Sequence, residues 1–246
     1  MKFLLQQGVL LDFIFAIQKA KEWWDWWKPK EGIVEFVDSG CSKDICPIGS
    51  LEFCLDYYKS LGITLKPLNV PENLTPDSLV ALKNVKFQGA SVKMMAEAEN
   101  RINSTTPHGW YIKSETKFKY PKNGFYSTIY DFLASDVDKD DEYQFAIFRN
   151  DIESEWRIFV YEGELVGAKC YSSESIYGCP LPDSGWVKDI AKRINLPAYT
   201  LDVAVLEGGM NVVMEVHDLF SCGLYGFDDY NKIPYMFYRS HLHKFL

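Results

Sequence analysis

The sequence has no long hydrophobic run. No segment reaches the roughly 18 consecutive apolar residues that a membrane helix requires. Met1–Leu5 starts like a signal peptide, but Gln6, Gln7 and Asp12 interrupt it and no small-residue cleavage site follows, so it is expected to belong to the fold. An excess of basic residues is missing too. Lys and Arg number 26 against 34 Asp and Glu, a formal charge of −8, which disfavours wholesale binding of a phosphate backbone. The six cysteines (Cys41, Cys46, Cys54, Cys170, Cys179 and Cys222) include no C-x-x-C. Reduced thiols in a cytoplasm are therefore expected over a disulfide framework, and Cys41 with Cys46 is a poor zinc signal. Neither G-x-x-x-x-G-K-[ST] nor G-x-G-x-x-G occurs, so the P-loop and dinucleotide fingerprints are absent. The run Asp136–Glu142 imitates an EF-hand loop but carries Asp141 where Gly is needed and Ile147 where Glu is needed; it reads as a solvated acidic loop.

What is present is a folding chain. Across 246 residues, 47% are apolar and 15% aromatic, which excludes disorder and leaves room for one large domain or two small ones. The first hundred residues alternate strand and helix. Strands are expected at 32–37 and 63–68, a helix at 50–61 capped by Ser50, and another from Thr75 to about Lys83 with Pro76 at its first position. From about residue 105 the pattern turns to strands, at 109–113, 145–149, 155–161, 164–171, 199–206 and 210–217. One helix interrupts them at 182–195, capped by Asp183 or Ser184, with Val187, Ile190, Ala191 and Ile194 on one face. The polar stretch before Pro107 sets a boundary between a unit at 1–104 and another at 105–246. In the Trp23–Trp27 cluster, core packing is favoured over an exposed patch.

Two hairpins carry the candidate site. Taking Gly208-Gly209 as a two-residue turn places Asp202 directly opposite Glu215. Like charges so placed repel, and two carboxylates with few other ligands suit Mg²⁺; His217 points to the same face and could extend the site. The alternative is that one carboxylate pairs with a Lys or Arg and the other sits at a wet margin. Taking Glu162-Gly163 as a turn sets Arg157 against Ala168 and Trp156 against Lys169, with Glu155 and Arg157 on one face. Arg157 is then a candidate anion binder.

The order of these stretches resembles a known family. Cys46–Phe53, Pro67–Pro71, Tyr111-Ile112-Lys113, Glu155–Val160, Leu201-Asp202 through Glu215 and Gly223–Gly226 are similar, in order and spacing, to the ATP-grasp superfamily. More narrowly they resemble its R2K clade, small bacterial and phage proteins predicted to form amide or peptide bonds. The resemblance implies an α+β ATP-grasp fold with a small α/β N-terminal domain. It implies an ATP- and Mg²⁺-dependent ligase joining a carboxylate to an amine through an acyl-phosphate, on small-molecule or peptide substrates. By the same resemblance Lys113 would reach the α/β-phosphates and Lys117, with Lys119 and Lys122 as competitors, would be the second lysine. The loop around Gly124 would close over the phosphates, and Phe148, Arg149 and Asn150 would form the hinge beside adenine, with Glu155 in the nucleotide site. Arg157 would meet the γ-phosphate or acyl-phosphate, and Asp202, Glu215 and His217 would hold metal. The family usually has Asn at the last of these positions. His217 therefore supports an alternative, a nucleotide-binding or interaction protein that has kept the fold without turnover.

Overall fold

A computed structural model describes residues 1–85, 109–138, 140–173, 178–220 and 222–246. Its first sheet is parallel, in the order β2-β1-β3, from β1 (Lys2–Leu5), β2 (Glu35–Val37) and β3 (Ile45–Ile48). The opening residues are thus a central strand, buried at Phe3 and Leu5. Helix α1 (Asp12–Trp27) lays Phe13, Ile17 and Trp24 onto this sheet and ends two residues before Pro29, whose ring disfavours a helical Lys28. Trp24 is buried, while Trp26 and Trp27 are exposed, so the tryptophan cluster is only partly core. Helix α2 (Leu51–Ser60) is capped by the Ser50 hydroxyl, which accepts from Phe53 N–H.

Two expected elements of this half differ. Residues 63–68 form no strand. The expected helix from Thr75 is a 3₁₀ turn (Glu72–Asp77), followed by strand β4 (Val80–Val85). The reason is tertiary: Leu79 N–H donates to Val213 O, Leu79 O accepts from Ile147 N–H, and Val80 and Val85 are buried. Pairing with two sheets outweighs the local helix signal.

The second sheet, in the order β4-β7-β5-β6, contains β5 (Trp110–Ser114), β6 (Gly124–Tyr126) and β7 (Tyr143–Ile147). Helix α3 (Ile129–Ala134) packs Ile129 and Phe132 against Trp110, Ile112 and Phe145. The third sheet, in the order β11-β10-β8-β9, contains β8 (Ile152–Tyr161), β9 (Glu164–Ser173), β10 (Ala198–Leu206) and β11 (Asn211–His217). Helix α4 (Ser184–Lys192), capped by Asp183, buries the expected face of Val187, Ile190 and Ala191, with Ile194 just beyond it. The last helix, α5 (Ile233–His243), returns to the first sheet, where Met236 and Phe237 join its core. The expected boundary residues 100–107 lie outside the described residues. Strand β4 precedes them and pairs with β7, so the second sheet draws on both sides of that boundary.

Candidate active site

Asp202 and Glu215 do face each other across β10 and β11, but the path to that register differs from a plain two-residue turn. The loop is one residue longer, because Leu206 N–H pairs with Met210 O and Gly209 N–H with Leu206 O. The ladder therefore runs one residue out of the expected count from Val205↔Asn211 to Val203↔Val213. A bulge at Met214 then restores Asp202↔Glu215. In the other hairpin, Glu162 and Gly163 both have positive φ, as a primed turn requires, and Tyr161 faces Glu164. A bulge at Val166 then shifts the register, so Arg157 faces Lys169 rather than Ala168, and Trp156 faces Cys170 rather than Lys169. The bulge falls beside Gly167, whose missing side chain admits Phe227: a Cβ there would meet that ring at 2.4 Å.

These registers assemble a cluster of charges at the centre of the third sheet. Arg157 makes a two-pronged ion pair with Asp202, Nε to Oδ1 at 2.8 Å and Nη2 to Oδ2 at 2.7 Å, both side chains buried. Its Nη1 donates to Gly223 O at 2.9 Å, and the guanidinium lies 4.9 Å from the Tyr225 ring centre. Lys113, on β5, pairs with Glu215. His217 Nε2 lies 2.5 Å from Glu215 Oε2 and 3.6 Å from an Asp202 oxygen. Burial opposes the charged state of all three groups, and the pairing overrides it. Hydrogen bonds from Arg157 and His217 hold Asp202 below its usual range. His217 and Lys113 hold Glu215 well below its own, and the two carboxylates raise His217 to about 9.

Potential ligand atoms of Asp202, Glu215 and His217 lie within 4.8 Å of one another. The two carboxylates fit a hard divalent cation. His217, protonated at neutral pH, sits between them as a hydrogen-bond donor and does not fit as a ligand in that state.

Two cavities meet at this cluster, and Lys113 lines both. The first, of about 590 Å³, holds Asp202, Glu215 and Glu155 at one end. At the other end are Phe148, Arg149 and Asn150, with Leu79, Tyr111, Ile147 and Met214 as apolar walls. The second, of about 350 Å³, is lined by Lys117, Arg157 and His217. Lys117 is bonded to Asp138 and lies 3.8 Å from Asp141; the bond to Asp138 raises its pKa. The acidic loop 136–142 thus braces the loop after β5, with Ser114 Oγ donating to Asp141 at 2.6 Å. Gly124 begins β6 opposite Ile112 and lines neither cavity. Arg149 pairs with Asp151.

Several walls escaped sequence reasoning. Tyr171 and Met214 are the extra residues of two bulges, and a bulge re-aims a side chain without leaving a mark in the alternation. Leu79 sat inside the expected helix. Tyr225 lies within the stretch Gly223–Gly226, to which the sequence gives no site role.

A mixed α+β fold with a two-sheet nucleotide-sized cleft and paired carboxylates on a hairpin defines a class, and comparison places the chain within it. The model of the ATP-grasp domain, R2K clade family 2, matches residues 90–233, and the chain belongs to that family. No curated protein matches. Among solved structures, the fold is similar to D-alanyl-alanine synthetase A from Vibrio cholerae (TM-score 0.56, 11% identity, covering 99% of this chain and 98% of that one). It is also similar to an ATP-grasp RimK domain protein from Sphaerobacter thermophilus (0.51, 14%, 100% and 99%). A third is D-cycloserine synthetase DcsG (0.55, 9%, 100% and 99%). At such identities these likenesses show the fold alone.

Proposed function

We propose that the protein is an ATP- and Mg²⁺-dependent ligase that joins a carboxylate to an amine. The observation that carries this reading is the convergence of Asp202, Glu215, Lys113 and Arg157 where two cavities meet. One cavity is long enough for a nucleotide and the other is available to a substrate. A structure of similar fold, N5-carboxyaminoimidazole synthetase from Staphylococcus aureus, is complexed with ADP, which supports a nucleotide in the first cavity.

In this reading the base lies against Leu79, Ile147 and Met214, beside Phe148–Asn150, and the phosphates run toward Lys113. Mg²⁺ held by Asp202 and Glu215 would neutralise part of the phosphate charge. Arg157 and Lys113 supply fixed positive charge at the meeting point, where charge develops on the transferred phosphoryl group. A substrate carboxylate oxygen bonds to the γ-phosphorus as its bond to ADP breaks. The amine nitrogen then bonds to the acyl carbon, phosphate leaves, and the nitrogen loses a proton. No side-chain nucleophile is required.

The test is ADP release from ATP and Mg²⁺ over a panel of amino acids and peptides. Substrate-dependent ADP that disappears in Glu215→Gln supports the reading. Substrate-independent ADP, or ADP release that survives Glu215→Gln, sinks it. A second reading, nucleotide binding without turnover, draws on His217, which occupies the space between both carboxylates. It predicts ATP binding with no ADP on any substrate.

A further inference from the structure

Helix α1 buries one face and leaves the opposite one bare. Phe13, Ile17 and Trp24 enter the core, whereas Phe15 is 57% and Trp26 79% exposed. Trp23, Trp24 and Trp27 pack ring to ring, with centres 4.8–5.3 Å apart, while Trp26 extends into solvent. Between the two exposed aromatic residues lie Lys19 and Glu22. The spacing 15-19-22-26 is the four-three-four step of a coiled-coil seam, so all four side chains share one face. The aromatic ends of this stripe are about 16 Å apart along the helix, with two opposite charges between them.

We propose that this face is an interface between two copies of the chain, with their α1 helices packed antiparallel about a two-fold axis. Centring the axis between Ala20 and Lys21 sets Phe15 against the partner's Trp26 at each end, and Lys19 against the partner's Glu22 in the middle. The stripe is its own complement, as a two-fold contact requires. A parallel pair would instead set lysine against lysine and glutamate against glutamate. Sliding the antiparallel pair by one heptad sets Phe15 against the partner's Lys19 in one direction, or Trp26 against the partner's Glu22 in the other. The charged layers thus fix the register, and the aromatic layers supply the burial. Within one chain Lys19 Nζ lies 5.6 Å from the Phe15 ring centre and donates to Glu22 at 2.7 Å. Such an exposed pair contributes little, so re-pairing across the axis costs little. An aromatic side chain buries about 150–250 Å², so four give at most about 1,000 Å², below the roughly 1,600 Å² of a standard interface. The dimer is therefore weak and reversible.

The test is sedimentation equilibrium of the full chain, from about 5 to 200 µM, the range of a weak interface. Salt at about 0.15 M screens the repulsion between two copies of charge −8. The mean mass should climb from one chain toward two. Trp26→Gln should weaken the association about tenfold or more, as loss of an interface tryptophan does. Lys19→Glu alone brings four glutamates together, and Glu22→Lys alone four lysines, so each variant should stay monomeric. Mixed in equal amounts the two should associate, because every Lys–Glu layer is rebuilt between unlike copies. The doubly exchanged chain, Lys19→Glu with Glu22→Lys, should dimerise as the wild type does. Recovery on mixing also shows that each single variant is folded. A wild type that is monomeric throughout, single variants that still dimerise, or a mixture that stays monomeric overturns the proposal.

Discussion

At the scale of single residues, the central fact is that each carboxylate of the site already has a cationic partner. Asp202 belongs to Arg157, and Glu215 is shared by Lys113 and His217. Removing one member of a buried pair strands the other, at a cost of about 3–5 kcal/mol. Asp202→Asn should therefore lower the urea midpoint as well as activity, since Asp202 and Arg157 are both buried. Glu215 is half-buried, so Glu215→Gln tests function with less damage to the fold. His217 can be examined in the other direction. His217→Asn removes a positive charge from between the two carboxylates and supplies an amide oxygen, a harder ligand. Mg²⁺ titrations of the ATP-dependent thermal shift should show tighter Mg²⁺ use in this variant. An unchanged or weaker Mg²⁺ midpoint would mean that His217 does not compete with the ion.

At the scale of elements, counting residues outward from a turn was a good guide to pairs near the turn and a poor one beyond a bulge. Glu162-Gly163 set Tyr161 against Glu164 as counted, yet Arg157 moved from Ala168 to Lys169 once Val166 was inserted. The Asp202–Glu215 pairing was legible only because a longer loop and the Met214 bulge displace the register in opposite senses. Helix α4 and its buried face were legible because they depend on local periodicity. Strand β4 was not, because its reason lies in Val213 and Ile147, far away in the chain. The same logic gives a prediction at Gly167. Its φ is not in the left-handed region, so alanine is resisted by space alone: the added Cβ would lie 2.4 Å from the Phe227 ring, which stacks on Phe159 at 4.1 Å. Overpacking of this kind costs about 1–3 kcal/mol, and Gly167→Ala should lower the urea midpoint accordingly. A paired Phe227→Leu should recover part of the loss; no recovery would place the strain elsewhere.

At the scale of the whole molecule, α5 ties the end of the chain to the first sheet and to the second cavity at once. His241 is the hinge of that attachment. Its Nδ1 lies 2.8 Å from Tyr58 Oη and its Nε2 2.9 Å from Lys43 O, with the side chain buried. Burial is the main reason its pKa falls from 6.5 to about 4. The backbone bond to Lys43 and the charge of Asp44 oppose the fall, and Lys244 adds to it. Between these two values the unfolded chain binds the proton and the folded chain does not. The stability that His241 contributes is therefore complete above about pH 6.5 and declines as the pH drops toward 4. By pH 5 the loss amounts to about 2 kcal/mol. His241→Gln should be less stable than the wild type at pH 7.5, having lost a well-fitted partner for Tyr58, yet should lack this share of the acid slope. Urea midpoints at pH 7.5 and 5.0 for both proteins measure the difference. Because Ser240 of α5 and Lys244 just past its end hold Asp218, protonation at His241 should loosen the outer wall of the second cavity together with the C-terminal turn. Amide exchange in α5 and around Asp218 should then quicken together on acidification in the wild type, and parallel acid slopes in the two proteins would remove His241 from the account.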